Sequence, residues 1–196
     1  MEKNMTRLHC LANELSQILD LESSMETMLA IFMVKLNQFM DSQRSSIFLF
    51  EPLKQQLTTY SSLDLEKNEI RLPKSDGVAG WVFENRLPAI VNDTAADSRF
   101  YCGVDDLTGF HTGNLICCPL INDKKHCSGT LQSLNKTIGD FTTDDLELLE
   151  LTACFVVVAI NNNRRYNEIR TTNIARGKVI QHIINKIGKS SRSKNL

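Results

Sequence analysis

What this chain lacks narrows its function at once. No unbroken apolar run approaches the ~20 residues of a membrane-spanning helix. Met1 to Leu19 is charged and amphipathic, without the continuous apolar core of a secretory signal. Neither sign of charge dominates: 22 Lys and Arg stand against 23 Asp and Glu, a net charge of −1. The chain therefore has no global basic field, which argues against nucleic acid as the main partner. The six cysteines (Cys10, Cys102, Cys117, Cys118, Cys127, Cys154) lie mostly inside apolar segments without paired spacing, as reduced thiols of a cytoplasmic protein do. There is no internal repeat, no Ser-His-Asp set, no Gly-rich phosphate loop followed by Lys and no paired-carboxylate motif. Asp105 and Asp106 are neighbours, but a solvated loop explains them without catalysis. A regulator fits these absences better than an enzyme.

What is present is enough for one good core. The 196 residues are 42% hydrophobic, which suits one domain with helical extensions. Leu8, Leu11, Leu15 and Ile18 recur at three- and four-residue steps, so Glu2 to Leu19 reads as an amphipathic helix whose stripe seats either on the domain or on a second copy. Ser23 and Glu26 form a capping box before a second helix, marked by Met25, Met28, Leu29, Phe32, Leu36 and Phe39 and running to about Met40. Ser45 to Phe50 and Leu57 to Ser61 read as paired strands, with Ile70 to Leu72 as a third ended by Pro73. After Asp76, GVAGWVFEN starts a short helix that offers unpaired amides to an anion. Ala89 to Val91 is a short strand, and Asn114 to Asn122 pairs with Cys127 to Asn135 across a turn at Asp123 to His126.

Thr142 and Asp145 make another capping box, ahead of a long helix that is apolar nearly all round from Leu146 to Ile160. Beyond Asn161 a weak heptad can be drawn, with Tyr166, Asn173, Ile180 and Ile187 at one position and Ile169, Arg176 and Ile183 at the other. Lys186 to Leu196 reads as a frayed basic tail. The order of elements gives an α+β fold, a central antiparallel sheet with helices on both sides.

Candidate chemistry concentrates between Ser98 and Lys136. Tyr101, Asp105, Asp106, Thr108 and Thr112 stand among Gly103, Gly109 and Gly113, a turn-rich loop suited to a polar small molecule. An ordinary surface loop is the alternative reading. Cys117, Cys118, His126 and Cys127 do not make a metal site, because adjacent strand residues point to opposite faces.

The run RFYCGVDDLTGFHTGNLICCPL, followed by GTLQSLNK, Phe141 and Asp145, resembles the cyclic-nucleotide-binding GAF domains of phosphodiesterases and bacterial adenylyl cyclases. The resemblance extends from about Leu21 to Tyr166. It implies a GAF fold with a six-stranded antiparallel sheet flanked by helices, long N- and C-terminal helices, and a pocket roofed by loops and short helices. The family signature is Asn-Lys, a short spacer, Phe, three residues, then Asp-Glu. Asn135, Lys136, Phe141 and Asp145 match it, with Leu146 in place of the Glu. In the family the Lys and the Asp form a salt bridge that closes the lid, so this set supports the lid and does not touch ligand.

By the same resemblance the ligand is cAMP or cGMP, with no other cofactor and no metal. Its phosphate meets the amides of Val78 and Ala79 with help from the Tyr101 hydroxyl, without needing an Arg. Thr108 and Thr112 line the ribose and phosphate region, and Asp105 sits in the same lid. Tyr60 places a ring against the purine, Ser46 hydrogen-bonds the base, and Ser61 stands where an Asp can supply backbone recognition. Capping, turn or edge-strand roles are the alternatives for Thr108, Thr112 and Tyr60. Gln132 replaces a Glu, which alters base selectivity because an amide both donates and accepts. Bilin attachment and methionine sulfoxide reduction, known in other GAF domains, rest on cysteine patterns not recognisable here.

The expected organisation is an N-terminal helix over 1–20, a GAF domain over 21–160, and a connector helix with basic tail over 161–196. The expected function is a cytoplasmic sensor that dimerises through its terminal helices and signals to an output domain such as a cyclase, phosphodiesterase or kinase, with no nucleic-acid or membrane partner. A ligand-free dimerisation module and a GAF sensor of a different small ligand are the alternatives.

Overall fold

The computed structural model describes residues 2–20, 23–62 and 70–192, and leaves the side chains of residues 2, 3, 61, 62 and 179–192 outside the description. The chain divides into two compact units, Met1–Ala159 and Ile160–Leu196. The first unit begins with α1 (Glu2–Leu19) and α2 (Met25–Met40), then β1 (Ser42–Glu51), β2 (Gln56–Ser62) and β3 (Arg71–Pro73). It continues through α3 (Gly77–Asn85), β4 (Ala89–Val91), α4 (Gly103–Thr108), β5 (Leu115–Ile121) and β6 (Cys127–Lys136) to the start of α5 (Thr143–Arg192). The strands form one sheet in the order β3-β2-β1-β6-β5-β4, with every neighbouring pair antiparallel. This is the α+β architecture expected.

Period-two alternation sorts side chains between the two faces. On one face Ile47, Ile116 and Leu131 are fully buried, and Phe32 of α2 meets Phe155 of α5 edge to face at 6.4 Å. The stripe of α1 seats on this unit: Leu11 and Leu15 are fully buried, and Glu14 pairs with Lys35 of α2 at 2.8 Å. A polar seam crosses the same face, where Ser45 Oγ donates to Asn37 Oδ1 at 2.5 Å and Ser133 Oγ to Ser42 Oγ at 2.7 Å. On the other face Phe48, Leu57, Leu72, Leu115, Cys117 and Leu134 pack beneath α3, whose Val78, Ala79 and Val82 are buried. Cys117 and Cys118 do lie on opposite faces, and burial pushes both thiols well above their ordinary value.

Local details depart from the sequence reading. The cap of α2 is Ser24, not Ser23: its Oγ accepts from Thr27 N at 3.2 Å. Glu26, expected to close a capping box with Ser23, instead accepts a bond from Tyr60. β1 begins at Ser42, three residues before the expected Ser45. The loop between β4 and β5 contains the helix α4, which the turn-rich composition did not suggest. The Thr142–Asp145 capping box is present, with Thr142 N donating to Asp145 Oδ2 at 2.9 Å and Asp145 N to Thr142 Oγ1 at 3.3 Å.

In the second unit α5 carries Tyr166 and Ile169 exposed to solvent. The heptad side chains Ile180, Ile183 and Ile187, and the side chains of the basic tail, lie outside the described residues. No helix among the described residues is long and apolar enough to cross a membrane.

Candidate functional site

A cavity of about 60 Å³ lies between the sheet and the cover formed by α3 and the β4–β5 loop. Its floor is built by alternation: Arg44, Ser46 and Phe48 of β1 face it, and so do Gln132 and Leu134 of β6. Ser46 and Gln132 are directly opposite one another in the β1–β6 ladder. Ser46 is 3% exposed, and neither its hydroxyl nor the Gln132 amide has a hydrogen-bond partner among the described residues. Two adjoining polar groups thus face the cavity with their bonding capacity unused, an arrangement that suits a polar ligand.

The roof has two parts. The first is the start of α3, where Gly77 turns the chain at φ 70 and Val78 and Ala79 follow at the cavity wall. Asp76 caps this helix by position only, making no side-chain bond to it, so the first amides keep their donor capacity. A side chain at Gly80 is impossible without backbone movement, since a Cβ there would lie 2.6 Å from the Ser75 carbonyl carbon. That close approach packs the helix start against the segment after β3.

The second part is the lid, 98–113. Its entry is fixed by Arg99, whose guanidinium donates to Asp97 at 2.6 and 2.9 Å and stacks 4.5 Å from the Trp81 ring. The Arg99 bond holds the Asp97 carboxyl below its ordinary range. Inside the lid Asp105 accepts from Thr112 N at 2.7 Å and Thr112 Oγ1 at 2.8 Å. Thr108 Oγ1 donates to the Val104 carbonyl and accepts from Phe110 N. Asp105, Thr108 and Thr112 all line the cavity, yet each is engaged in bracing the lid itself. Tyr101 also lines the cavity; its ring lies against Gly103, where a Cβ would fall 2.5 Å from the hydroxyl oxygen.

One of the expected ligand contacts is not brought here. Tyr60 is turned away: the β1–β2 register runs from Ile47↔Ser61 to Phe48↔Thr59, leaving Tyr60 as the extra residue of a bulge. Its hydroxyl donates to Glu26 Oε1 of α2 at 2.8 Å. Burial, together with this bond, pushes its pKa up to about 12. Tyr60 is therefore not a platform for a ring in this cavity. Ser61 belongs to β2, but its side chain lies outside the described residues.

Arg44 is the residue that the sequence reading missed. It lines the cavity, and its guanidinium carbon stands 4.3 Å above the Phe110 ring of the lid. Alternation from Ser46 back along β1 was the available signal, hidden by starting the strand at Ser45.

The Asn-Lys-Phe-Asp set stands at the lid's far end, outside the cavity wall. Asn135, at φ 53, accepts from Gly113 N at 2.8 Å and donates to the His111 carbonyl at 2.7 Å and to Gln43 Oε1 at 3.0 Å. Lys136 Nζ reaches Asp145 Oδ2 at 2.6 Å, with side-chain exposures of 13% and 2%. Asp145 also lies 3.9 Å from Arg7 of α1. The buried Phe141 is pinned through its backbone by Asn92, at 2.9 and 3.1 Å. Leu146, in the place of a Glu, is half-buried on the first turn of α5. Among the described residues there is no cluster of three or more His, Cys, Asp or Glu able to hold a metal ion.

Comparison with known proteins agrees with this geometry. The chain is similar to the dual 3′,5′-cyclic-AMP and -GMP phosphodiesterase 11A of Takifugu rubripes, at 28% identity over 165 residues, 78% of this chain and 18% of that protein. It is also similar to the probable 3′,5′-cyclic phosphodiesterase pde-5 of Caenorhabditis elegans, at 26% identity, 75% of this chain and 22% of that protein. The chain thus spans only about a fifth of the length of these relatives. Among solved structures, the GAF domain of a phosphoenolpyruvate-protein phosphotransferase from Coxiella burnetii superposes with a TM-score of 0.74 at 15% identity, covering 83% of this chain and 98% of that one. The family model for the GAF domain matches residues 24–160, and with the observed sheet order and capped cavity the chain belongs to the GAF domain family.

Proposed function

We propose that this chain is a regulatory sensor that binds a cyclic nucleotide, cAMP or cGMP, in the cavity under the 98–113 lid. The observation that carries the reading is the unused hydrogen-bonding pair on the floor, Ser46 and Gln132, facing a helix start whose amides are not capped by a side chain. A cyclic nucleotide has a heteroaromatic edge for the floor and one anionic phosphate for the amides of Val78 and Ala79. The relatives, both named as cyclic-nucleotide phosphodiesterases, support the same ligand class.

The cavity of about 60 Å³ is several-fold smaller than the ~300–1,000 Å³ of typical ligand sites, so binding requires the lid to move. Occupancy then biases the lid's poise, and the signal passes through the terminal helices of a cytoplasmic homodimer to an output domain such as a cyclase, phosphodiesterase or kinase. In this reading the chain itself is not an enzyme.

The small cavity also favours a second reading, a GAF module kept for dimerisation alone. Isothermal titration with cAMP and cGMP, beside 5′-AMP and 5′-GMP, separates the two. Micromolar or tighter binding of a cyclic nucleotide, with the linear ones much weaker, is the expected result. No heat and no thermal shift with any of the four overturns the sensor reading in favour of the module or of a different ligand.

A further inference from the structure

Resting on the sensor reading for its input, we infer that Arg7 of α1 is a positioning residue that couples the lid to the N-terminal helix through the carboxylate of Asp145. The first link is at the lid's far end. Residues 111–114 are stitched to the end of β6 by four hydrogen bonds. Gly113 N donates to Asn135 Oδ1 at 2.8 Å and Asn135 Nδ2 to the His111 carbonyl at 2.7 Å. Asn135 N donates to the Asn114 carbonyl and Lys136 N to Asn114 Oδ1, both at 2.9 Å. Asn135 and Lys136 therefore follow any displacement of this end of the lid.

The second link is the carboxylate. Asp145 is 1% exposed; its Oδ2 takes Lys136 Nζ at 2.6 Å, and its Oδ1 lies 3.9 Å from Arg7 Nη2. Lys136 and Arg7 thus share one buried anion, where charges interact more strongly than in bulk water. Arg7 also donates to the Phe39 carbonyl at the end of α2, so its guanidinium bridges α2 and α5. A shift of Lys136 with the lid changes the field at Asp145, and with it the hold on Arg7.

The start of α1 is the end able to respond. Later turns of this helix are anchored by burial of Leu11, Leu15 and Ile18. Its first turns meet the start of α5 through polar groups, Arg7 with Asp145 and Asn4 Nδ2 donating to Glu147 Oε2 at 2.7 Å. Asn4 Oδ1 is buried there without a hydrogen-bond partner among the described residues, which weakens this end of the helix relative to the apolar one. Lid position and the seating of α1 are therefore linked, and by reciprocity whatever lifts the start of α1 loosens the lid.

The test is amide hydrogen exchange, read by NMR on the full chain without ligand, for wild type, Arg7→Met, Asp145→Asn and the double variant. Glu14→Gln, which breaks the Lys35 pair elsewhere on α1, is the control. Arg7→Met should speed exchange at Gly113, Asn135 and Lys136 about two- to fivefold, the scale of one partly exposed ion pair. It should leave Arg99 N, bonded to Asp97 at the lid's entry, unchanged, and Glu14→Gln should change none of these amides. In the Asp145→Asn background the Arg7 substitution should add nothing, because the shared charge is gone. Unaltered exchange at the three amides in Arg7→Met overturns the inference. So does equal acceleration at Arg99 or by Glu14→Gln, which reports general loosening, and so does an undiminished effect in the Asp145→Asn background, which assigns Arg7 to the Phe39 carbonyl. Should Asp145→Asn fail to fold, Arg7→Lys decides: the retained charge should keep most of the protection, and acceleration equal to that of Arg7→Met overturns the inference. Added cAMP or cGMP then reads the input, since a bound nucleotide should change exchange at the amides of residues 8–11 in wild type and much less in Arg7→Met; equal change in both overturns the coupling. Failure of both nucleotides to bind overturns the sensor reading, while the ligand-free exchange still decides this inference.

Discussion

Replacing Asp145 by Asn tests whether the signature set is a clasp. Asp145 is 1% exposed and accepts from Lys136 Nζ at 2.6 Å and from Thr142 N and Oγ1, both at 2.9 Å. An asparagine oxygen can still accept the two Thr142 bonds, so the cap of α5 survives and the change isolates the charge. Lys136 is then left 13% exposed without its counter-ion. Removing one partner of a buried pair costs about 3–5 kcal/mol, and the residual exposure of Lys136 puts this case near the low end, about 3 kcal/mol. At roughly 2–4 °C per kcal/mol for a chain of this size, the melting temperature should fall by about 6–12 °C. Lys136→Met strands the carboxylate instead and should cost a similar amount. The double variant buries neither charge, so its loss should be smaller than the sum of the two by about 1–3 kcal/mol. Urea titrations of the four proteins measure this cycle directly. A loss below about 1 kcal/mol for Asp145→Asn, or strict additivity in the double variant, refutes the clasp.

Other expectations follow from the same geometry. Cys10, Cys102 and Cys154 are exposed while Cys117, Cys118 and Cys127 are buried, so a thiol reagent should titrate three cysteines quickly in the native protein and all six in denaturant; fast reaction of all six natively contradicts the packing. Tyr60, raised to about 12 against an ordinary value of 10.0, should ionise well after a normal tyrosine in an ultraviolet absorbance titration, and Tyr60→Phe should remove that late step. Because the folded value is the higher one, the stability from Tyr60 is fully present below pH 10 and lost as pH rises from 10 towards 12, so wild type should lose its advantage over Tyr60→Phe in that window. Its partner Glu26 is shifted down by hydrogen bonding, chiefly to backbone and then to Tyr60; its contribution is present above its unfolded value and lost only as pH falls through the lowered folded one. Gly129→Ala would put a methyl 1.9 Å from the Phe48 carbonyl oxygen of the neighbouring strand, and a clash with backbone should cost about 3 kcal/mol or more; a variant that melts like wild type shows that β1 and β6 are not held at this spacing.

The fold was legible because its main elements carry strong periodic patterns. Leu11, Leu15 and Ile18 on α1, and Leu29, Phe32 and Leu36 on α2, are buried as their spacing requires. The edges of elements were less so, and each slip has a local cause. Ser24 took the cap from Ser23, and the Glu26 that completed the sequence motif found Tyr60 instead. Helix α4 spans only Gly103–Thr108, with Val104 and Leu107 as its apolar residues, too short for periodicity to register. The Tyr60 reading failed on a bulge, because one inserted residue breaks the alternation of faces and no residue type in QLTTYSS announces it. Arg44 was hidden by polar residues at the start of β1: Ser42, Gln43, Arg44 and Ser45 carry no apolar alternation, although their partners on β6 extend the ladder to Ser42↔Lys136.

Signature and ligand are separate lines of evidence in this chain. The side-chain amide of Asn135 accepts one bond and donates two, all to protein groups, which uses its donors completely. Asn135 ties down the lid end at His111–Gly113, Lys136 is engaged with Asp145 at the start of α5, and neither lines the cavity. A match to the Asn-Lys-Phe-Asp pattern therefore reports how the lid is tethered and is silent on what lies beneath it. Thr112 and Asp105 behave similarly, since their mutual bonds hold the lid's shape before any ligand arrives. Ligand identity has to be read from groups whose bonding capacity faces the cavity, and on the floor these are Ser46 and Gln132. Gln132 is one of the positions where the chain departs from the family pattern, and Arg44 is a floor residue that no pattern supplied. Selectivity should accordingly change with substitutions at Ser46 and Gln132, while substitutions in the clasp should change stability and lid opening for every ligand alike.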